Sequence, residues 1–93
     1  MTLSKTEIAS VRDNLNLSQV QFGQLLGVHP LTVSKWERGR LRPAPHQQAL
    51  ILSFRRAREK QRNVGETAAG LLVTAGVALA LFVLLDAAFG QKK

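Results

Sequence analysis

Between Ser18 and Gly39 the chain runs SQVQFGQLLGVHPLTVSKWERG, and this stretch leaves little choice of local fold. Ser18 followed three residues later by Gln21 is a capping box, the signature of a helix start. Val20, Leu25 and Leu26 give the helix that follows an apolar side. Gly27 stops it, at a position where a left-handed residue is wanted. Pro30 suits the first turn of a second helix, which runs through Thr32, Val33 and Trp36 toward Gly39. The pattern predicts two short helices joined by a tight turn.

The flanking sequence extends this into an all-α domain over residues 1–54. Ser4 with Glu7 is a second capping box, opening a helix that carries Ile8, Val11 and Leu15 at helical spacing. Asn14 and Asn16 break it before Ser18. Arg40-Leu41-Arg42-Pro43-Ala44-Pro45 reads as a loop, because a proline disfavours the helical state of the residue before it. A last domain helix is expected from near Pro45, with Ala49, Leu50 and Phe54 toward the core. It runs on into a basic extension and linker over residues 55–66, ending at Asn63-Val64-Gly65.

The next segment is different in kind. Thr67 to Leu85, TAAGLLVTAGVALALFVLL, contains no charged residue. As one continuous helix it would be about 28 Å long, close to the roughly 30 Å hydrocarbon core of a bilayer. It is apolar on every side, so it is not a surface helix of a soluble domain. Either it crosses a membrane or other protein buries it. A domain of about 54 residues is small for that task, which favours a hydrophobic membrane-anchor helix over residues 67–90 with a basic tail at 91–93. The arginine-rich flank before it then places the N-terminal domain in the cytoplasm, as a single-pass protein of the inner (cytoplasmic) membrane. Gly70, Thr74 and Ala78 recur every four residues, as do Gly76 and Ala80, a spacing that permits close helix pairing and a homodimer through the tail.

Charge narrows the partners. Thirteen Lys and Arg against six Asp and Glu give a formal net charge of +7, which suits a polyanion. The positive residues concentrate between Lys35 and Arg62. Arg55, Arg56, Arg58, Lys60 and Arg62 lie beside the apolar segment, where they can meet membrane lipid head groups or serve as a topology signal. With no cysteine, disulfides and cysteine-ligated metals are excluded. His29 and His46 without an acidic cluster make no metal site. The N-terminus lacks the apolar stretch of a signal peptide. No nucleophile with a base, no paired carboxylates and no phosphate-binding glycine loop can be assembled, so no catalytic residues, no cofactor and no enzyme activity are expected.

The pattern LxLSQxxFGxLLGVxxxTVSxWExG resembles the phage repressor and Cro-like helix-turn-helix family. Leu17-Ser18-Gln19, Leu26-Gly27-Val28 and Val33-Ser34-x-Trp36-Glu37-x-Gly39 carry the resemblance, which covers roughly residues 4 to 54. It implies a five-helix DNA-binding domain whose third helix, about Pro30 to Arg38, enters the major groove of double-stranded DNA. It places Pro30, Leu31, Ser34 and Lys35 at base edges with Thr32 close by. Lys35 suits guanine O6 or N7, Ser34 can donate or accept, and Leu31 fits a thymine methyl. It puts Gln19 on a backbone phosphate, where it also braces the recognition helix, and makes Arg12 and Glu37 an internal ion pair. Arg38, Arg40 and Arg42, bracketing the recognition helix, are expected on phosphate as well. Trp36 is expected in the core. His29 stands where the family usually carries Ser, Thr or Asn as helix cap, and so predicts a weaker cap.

The leading reading is a sequence-specific transcriptional regulator, a repressor, tethered to a membrane by its C-terminal helix. Two others compete. One is a cytoplasmic repressor or antitoxin whose apolar tail mediates dimerisation or binds a toxin. The other is a membrane-anchored adaptor whose helix-turn-helix binds a protein partner.

Overall fold

In the computed structural model, which describes residues 3–90, α1 (Lys5–Asn14) opens at Ser4. The Ser4 hydroxyl accepts from the Glu7 N–H at 3.1 Å, and the Glu7 carboxylate accepts from the Ser4 N–H at 2.8 Å. Leu15 caps its far end, and Asn16, with φ 59°, turns the chain toward α2 (Gln19–Leu26). Asparagine tolerates that left-handed conformation better than most side chains. The same reciprocal capping opens α2, through Ser18 and Gln21 at 3.0 and 2.9 Å. Gly27, with φ 72°, ends it, and α3 (Pro30–Glu37) follows after a two-residue turn. The turn is tight enough that a Cβ on Gly23 would lie 2.6 Å from the Val28 carbonyl oxygen.

After the Arg38–Ala44 loop, α4 (Pro45–Lys60) starts with proline in its first turn, and the Ala44 N–H donates to Gln47 Oε1 at 2.7 Å. Gln48 locks the loop to the N-terminus. Its Oε1 accepts from the Leu3 N–H at 3.0 Å and its Nε2 donates to the Pro43 carbonyl at 3.1 Å. Ile8, Val11, Leu15, Phe22, Leu25, Val33, Trp36, Ile51 and Phe54 are buried together, with the Phe22 and Phe54 rings edge-to-face at 6.1 Å. Trp36 is 1 % exposed and belongs to this core.

The apolar tail is not one helix. It forms α5 (Val64–Thr74) and α6 (Val77–Phe89), broken at Ala75 and Gly76. The Ala75 and Gly76 N–H groups both donate to the Leu71 carbonyl at 2.7 Å, and Thr74 Oγ1 donates to the Gly70 carbonyl at 2.9 Å. Gly76 then takes φ 104°, a conformation strained for any residue with a Cβ. At 11 and 13 residues the two helices are about 16 and 20 Å long. Neither matches a bilayer core. Among the described residues no helix is long and apolar enough to cross a membrane, which overturns the expected single C-terminal membrane-anchor helix and with it the single-pass placement in the inner membrane.

What the break achieves is burial. α6 folds back to pack against α4 and α5 and touches α2. Ala80, Leu84, Ala87 and Ala88 become buried with Val64 and Ala68 of α5. Small side chains let the helix axes approach, and removing Leu84 alone from water is worth about 2 kcal/mol. The expected linker at Asn63-Val64-Gly65 is a packed joint: Val64 is 1 % exposed, and Gly65 lies so close to Leu15 that a Cβ there would run into its carbonyl oxygen. The basic extension belongs to α4, whose Arg58 Nε donates to the Asn14 carbonyl at 3.0 Å. The small-residue series Gly70, Thr74, Ala78 is split by the turn, and Ala80 of the second series is buried within the molecule. The basic tail at 91–93 lies outside the described residues.

Candidate nucleic-acid interface

The periodicity of α3 divides its side chains cleanly. Val33 and Trp36, three residues apart, are buried; Leu31, Lys35 and Arg38, at i, i+4 and i+7, are exposed on the opposite side, with Ser34 half-exposed beside them. Pro30 and Thr32 are half-buried on the flanks. One face of a two-turn helix thus presents an ammonium, a guanidinium, a hydroxyl and a leucine side chain that is 52 % exposed. These groups suit the edges and phosphates of a nucleic acid: the cations for acceptors, the hydroxyl for either role, the leucine for a methyl.

A charged network fixes the orientation of that face. Arg12 Nε donates to Glu37 Oε2 at 2.6 Å and its NH2 group to Oε1 at 3.0 Å, a bidentate pair. The remaining terminal nitrogen donates to the Leu17 carbonyl at 2.9 Å, and Gln19 Nε2 donates to Glu37 Oε1 at 3.1 Å. The end of α1, the α1–α2 turn, the start of α2 and the end of α3 are therefore tied to one carboxylate. The Arg12 and Glu37 side chains are 20 % and 10 % exposed, so solvent screens the pair only partly. The hydrogen bonds it donates to Glu37 hold the Arg12 guanidinium above its ordinary pKa, against the opposing push of burial, with attraction to Glu37 and Asp13 adding to it. A raised arginine contributes fully at every pH below its ordinary value and loses that contribution only above it. The guanidinium half of this lock therefore stays charged throughout the physiological range.

Gln19 is turned inward by this bond, bracing α3 through Glu37. The other end of α3 is held by His29, whose Nδ1 accepts from the Leu31 N–H at 3.0 Å. Imidazole can accept there only while that nitrogen carries no proton, a condition that a serine or threonine cap does not impose. Arg40 and Arg42 are exposed in the loop after α3, and Arg38 Nε reaches back to the Ser34 carbonyl at 3.3 Å. The second basic group is dispersed. Arg58 is bound to Asn14, the Arg56 guanidinium stacks 5.4 Å from the centre of the Phe89 ring, and Lys60 and Arg62 are exposed near the end of α4. Arg55 is half-buried beside Val11 and Asn14. No group of three or more His, Cys, Asp or Glu able to hold a metal exists among the described residues.

Sequence reasoning did not find Gln48, which ties the loop after α3 to the N-terminus, nor the bond from Arg58 to the end of α1. Neither residue carries a local pattern, since both act across more than forty residues of sequence.

The family model described as helix-turn-helix matches residues 8–51, a little under half of the chain, from within α1 to the first half of α4. That match supports a DNA-binding transcription regulator. Comparison with curated proteins and with solved structures gives no match.

Proposed function

We propose that this protein is a sequence-specific DNA-binding regulator that represses transcription by occupying its site, with α3 as the reading helix. The observation that carries the proposal is the outward face of α3, exposed as a unit while the Arg12–Gln19–Glu37 network holds its axis. In this reading α3 lies in the major groove, about 12 Å wide and able to admit a helix. Lys35 and Ser34 meet base edges, with Leu31 against a thymine methyl and Pro30 and Thr32 at the margins. Arg38, Arg40 and Arg42 bind phosphates on either side. Gln19 serves mainly as a brace, and its amide group reaches phosphate only as far as its bond to Glu37 permits.

The division of labour is testable by salt. Binding of the full chain to random-sequence duplex should weaken steeply with salt, because neutralising phosphates releases counterions. Arg40→Ala and Arg42→Ala should each reduce the slope of log affinity against log salt by about 0.9. Lys35→Ala should instead cost about 1–3 kcal/mol on the preferred site and little on random duplex. Equal losses on both kinds of DNA for all three variants would sink the assignment of α3 as the reading element.

A further inference from the structure

A cavity of about 370 Å³ lies between the start of α1, the end of α3 and the loop that follows. Buried Leu3, Ile8, Trp36 and Pro43 form its floor, and exposed Lys5 and Arg42 stand at its rim. Its size is at the lower end of small-molecule sites. The walls are fixed by the fold itself. Gln48 joins them, accepting from the Leu3 N–H on one side and donating to the Pro43 carbonyl on the other. The Gly39 and Arg40 N–H groups donate to the Trp36 and Lys35 carbonyls at 3.1 and 2.9 Å, which anchors the loop to α3. Gly39, with φ 75°, also leaves room for the Lys5 stem: a Cβ there would stand 3.1 Å from Lys5 Cδ. A rigid cavity costs little to order when a ligand enters.

The cavity also has a sign. No carboxylate lines it, and that of Glu7, on the first turn of α1, is engaged by the Ser4 N–H. Neither the Lys5 ammonium nor the Arg42 guanidinium has an ion-pair or hydrogen-bond partner among the described residues. We propose that this cavity binds a small organic acid, its carboxylate between Lys5 and Arg42 and its hydrocarbon chain against the floor. The guanidinium fork matches a carboxylate. A bare inorganic anion leaves the apolar floor in water, and a neutral hydrocarbon gains nothing from the cations. A consequence follows that rests on the DNA-binding reading above. There Arg42 binds phosphate, so a carboxylate on Arg42 competes with the duplex, and acid and DNA each weaken the binding of the other.

Trp36 is the only tryptophan of the chain. Its Nε1 is buried without a hydrogen-bond partner, so its emission reports on the floor of the cavity and needs no DNA. Titration of the full chain with hexanoate at constant ionic strength should change that emission saturably, with Kd about 1–10 mM. Lys5→Ala and Arg42→Ala should each weaken binding about threefold or more with unchanged helical circular dichroism. Lys60→Ala, which removes the same charge from the end of α4, should not. Hexanol and inorganic phosphate at equal concentration should change the emission little. Saturating hexanoate should weaken duplex binding several-fold in the native chain and not in Arg42→Ala. Emission that does not saturate, an equal response to hexanol or phosphate, or equal affinities of all three variants would overturn the site. Saturable binding with unchanged duplex affinity would overturn the competition for Arg42. Because the emission titration contains no DNA, failure of the site and failure of the DNA-binding reading are separate results.

Discussion

At the scale of single residues, the molecule divides its polar side chains between holding α3 and presenting it. His29 holds: its Nδ1 accepts one of the N–H groups left without an intrahelical partner at the start of α3. His29→Ala should lower stability by about 1 kcal/mol, while His29→Asn should retain it, as thermal or urea unfolding would reveal. Arg12 and Glu37 hold as well, and their removal is asymmetric. Arg12→Ala leaves a largely buried carboxylate without its cation, and Glu37→Ala leaves the guanidinium unpaired. Each single variant should cost about 3 kcal/mol, and the double Arg12→Met, Glu37→Leu variant clearly less than their sum, because it strands neither charge. A double variant as unstable as the two singles combined would show that the pair acts through packing alone. Lys35, Ser34 and Leu31 present, and no hydrogen bond to the rest of the fold is needed to keep them where they stand.

At the scale of elements, the joints decide the architecture. Gly65 sits against the Leu15 carbonyl with no room for a Cβ, so Gly65→Ala must push α5 away from the end of α1. A loss of about 1–3 kcal/mol is expected, the usual cost of overpacking, measurable by denaturant unfolding. Gly76→Ala forces a side chain into a left-handed conformation and should cost about 1–2 kcal/mol, visible in the same experiment. These joints also mark where the sequence was legible and where it was not. Ser4, Ser18, Gly27 and Pro30 announce α1, α2 and α3 through local chemistry, because caps and turns depend on neighbours in sequence. The hydropathy of Thr67–Leu85 announced an apolar helix but not its break. Hydropathy averages over the window in which Thr74, Ala75 and Gly76 act, and the burial that rewards folding back comes from α4, far away in sequence. The burial of Trp36 was readable from its spacing to Val33, whereas the outward residues of α3 came from the resemblance to the repressor family. The bracing role of Gln19 also came from that resemblance, but its partner Glu37, eighteen residues distant, could not be read.

At the scale of the whole molecule, charge and apolar surface are segregated. α3 and its flanking arginines gather positive charge, while the α5–α6 hairpin is almost uncharged and exposes leucine, valine and phenylalanine. The claim on which all of this depends is that the outward face of α3 reads sequence, and selection from a random duplex library by the full chain addresses it most directly. The native protein should enrich a defined short site, and the Ser34→Ala, Lys35→Ala double variant should keep salt-sensitive binding but lose that preference. Enrichment of the same site by both proteins, or no binding of duplex DNA by either, would contradict it.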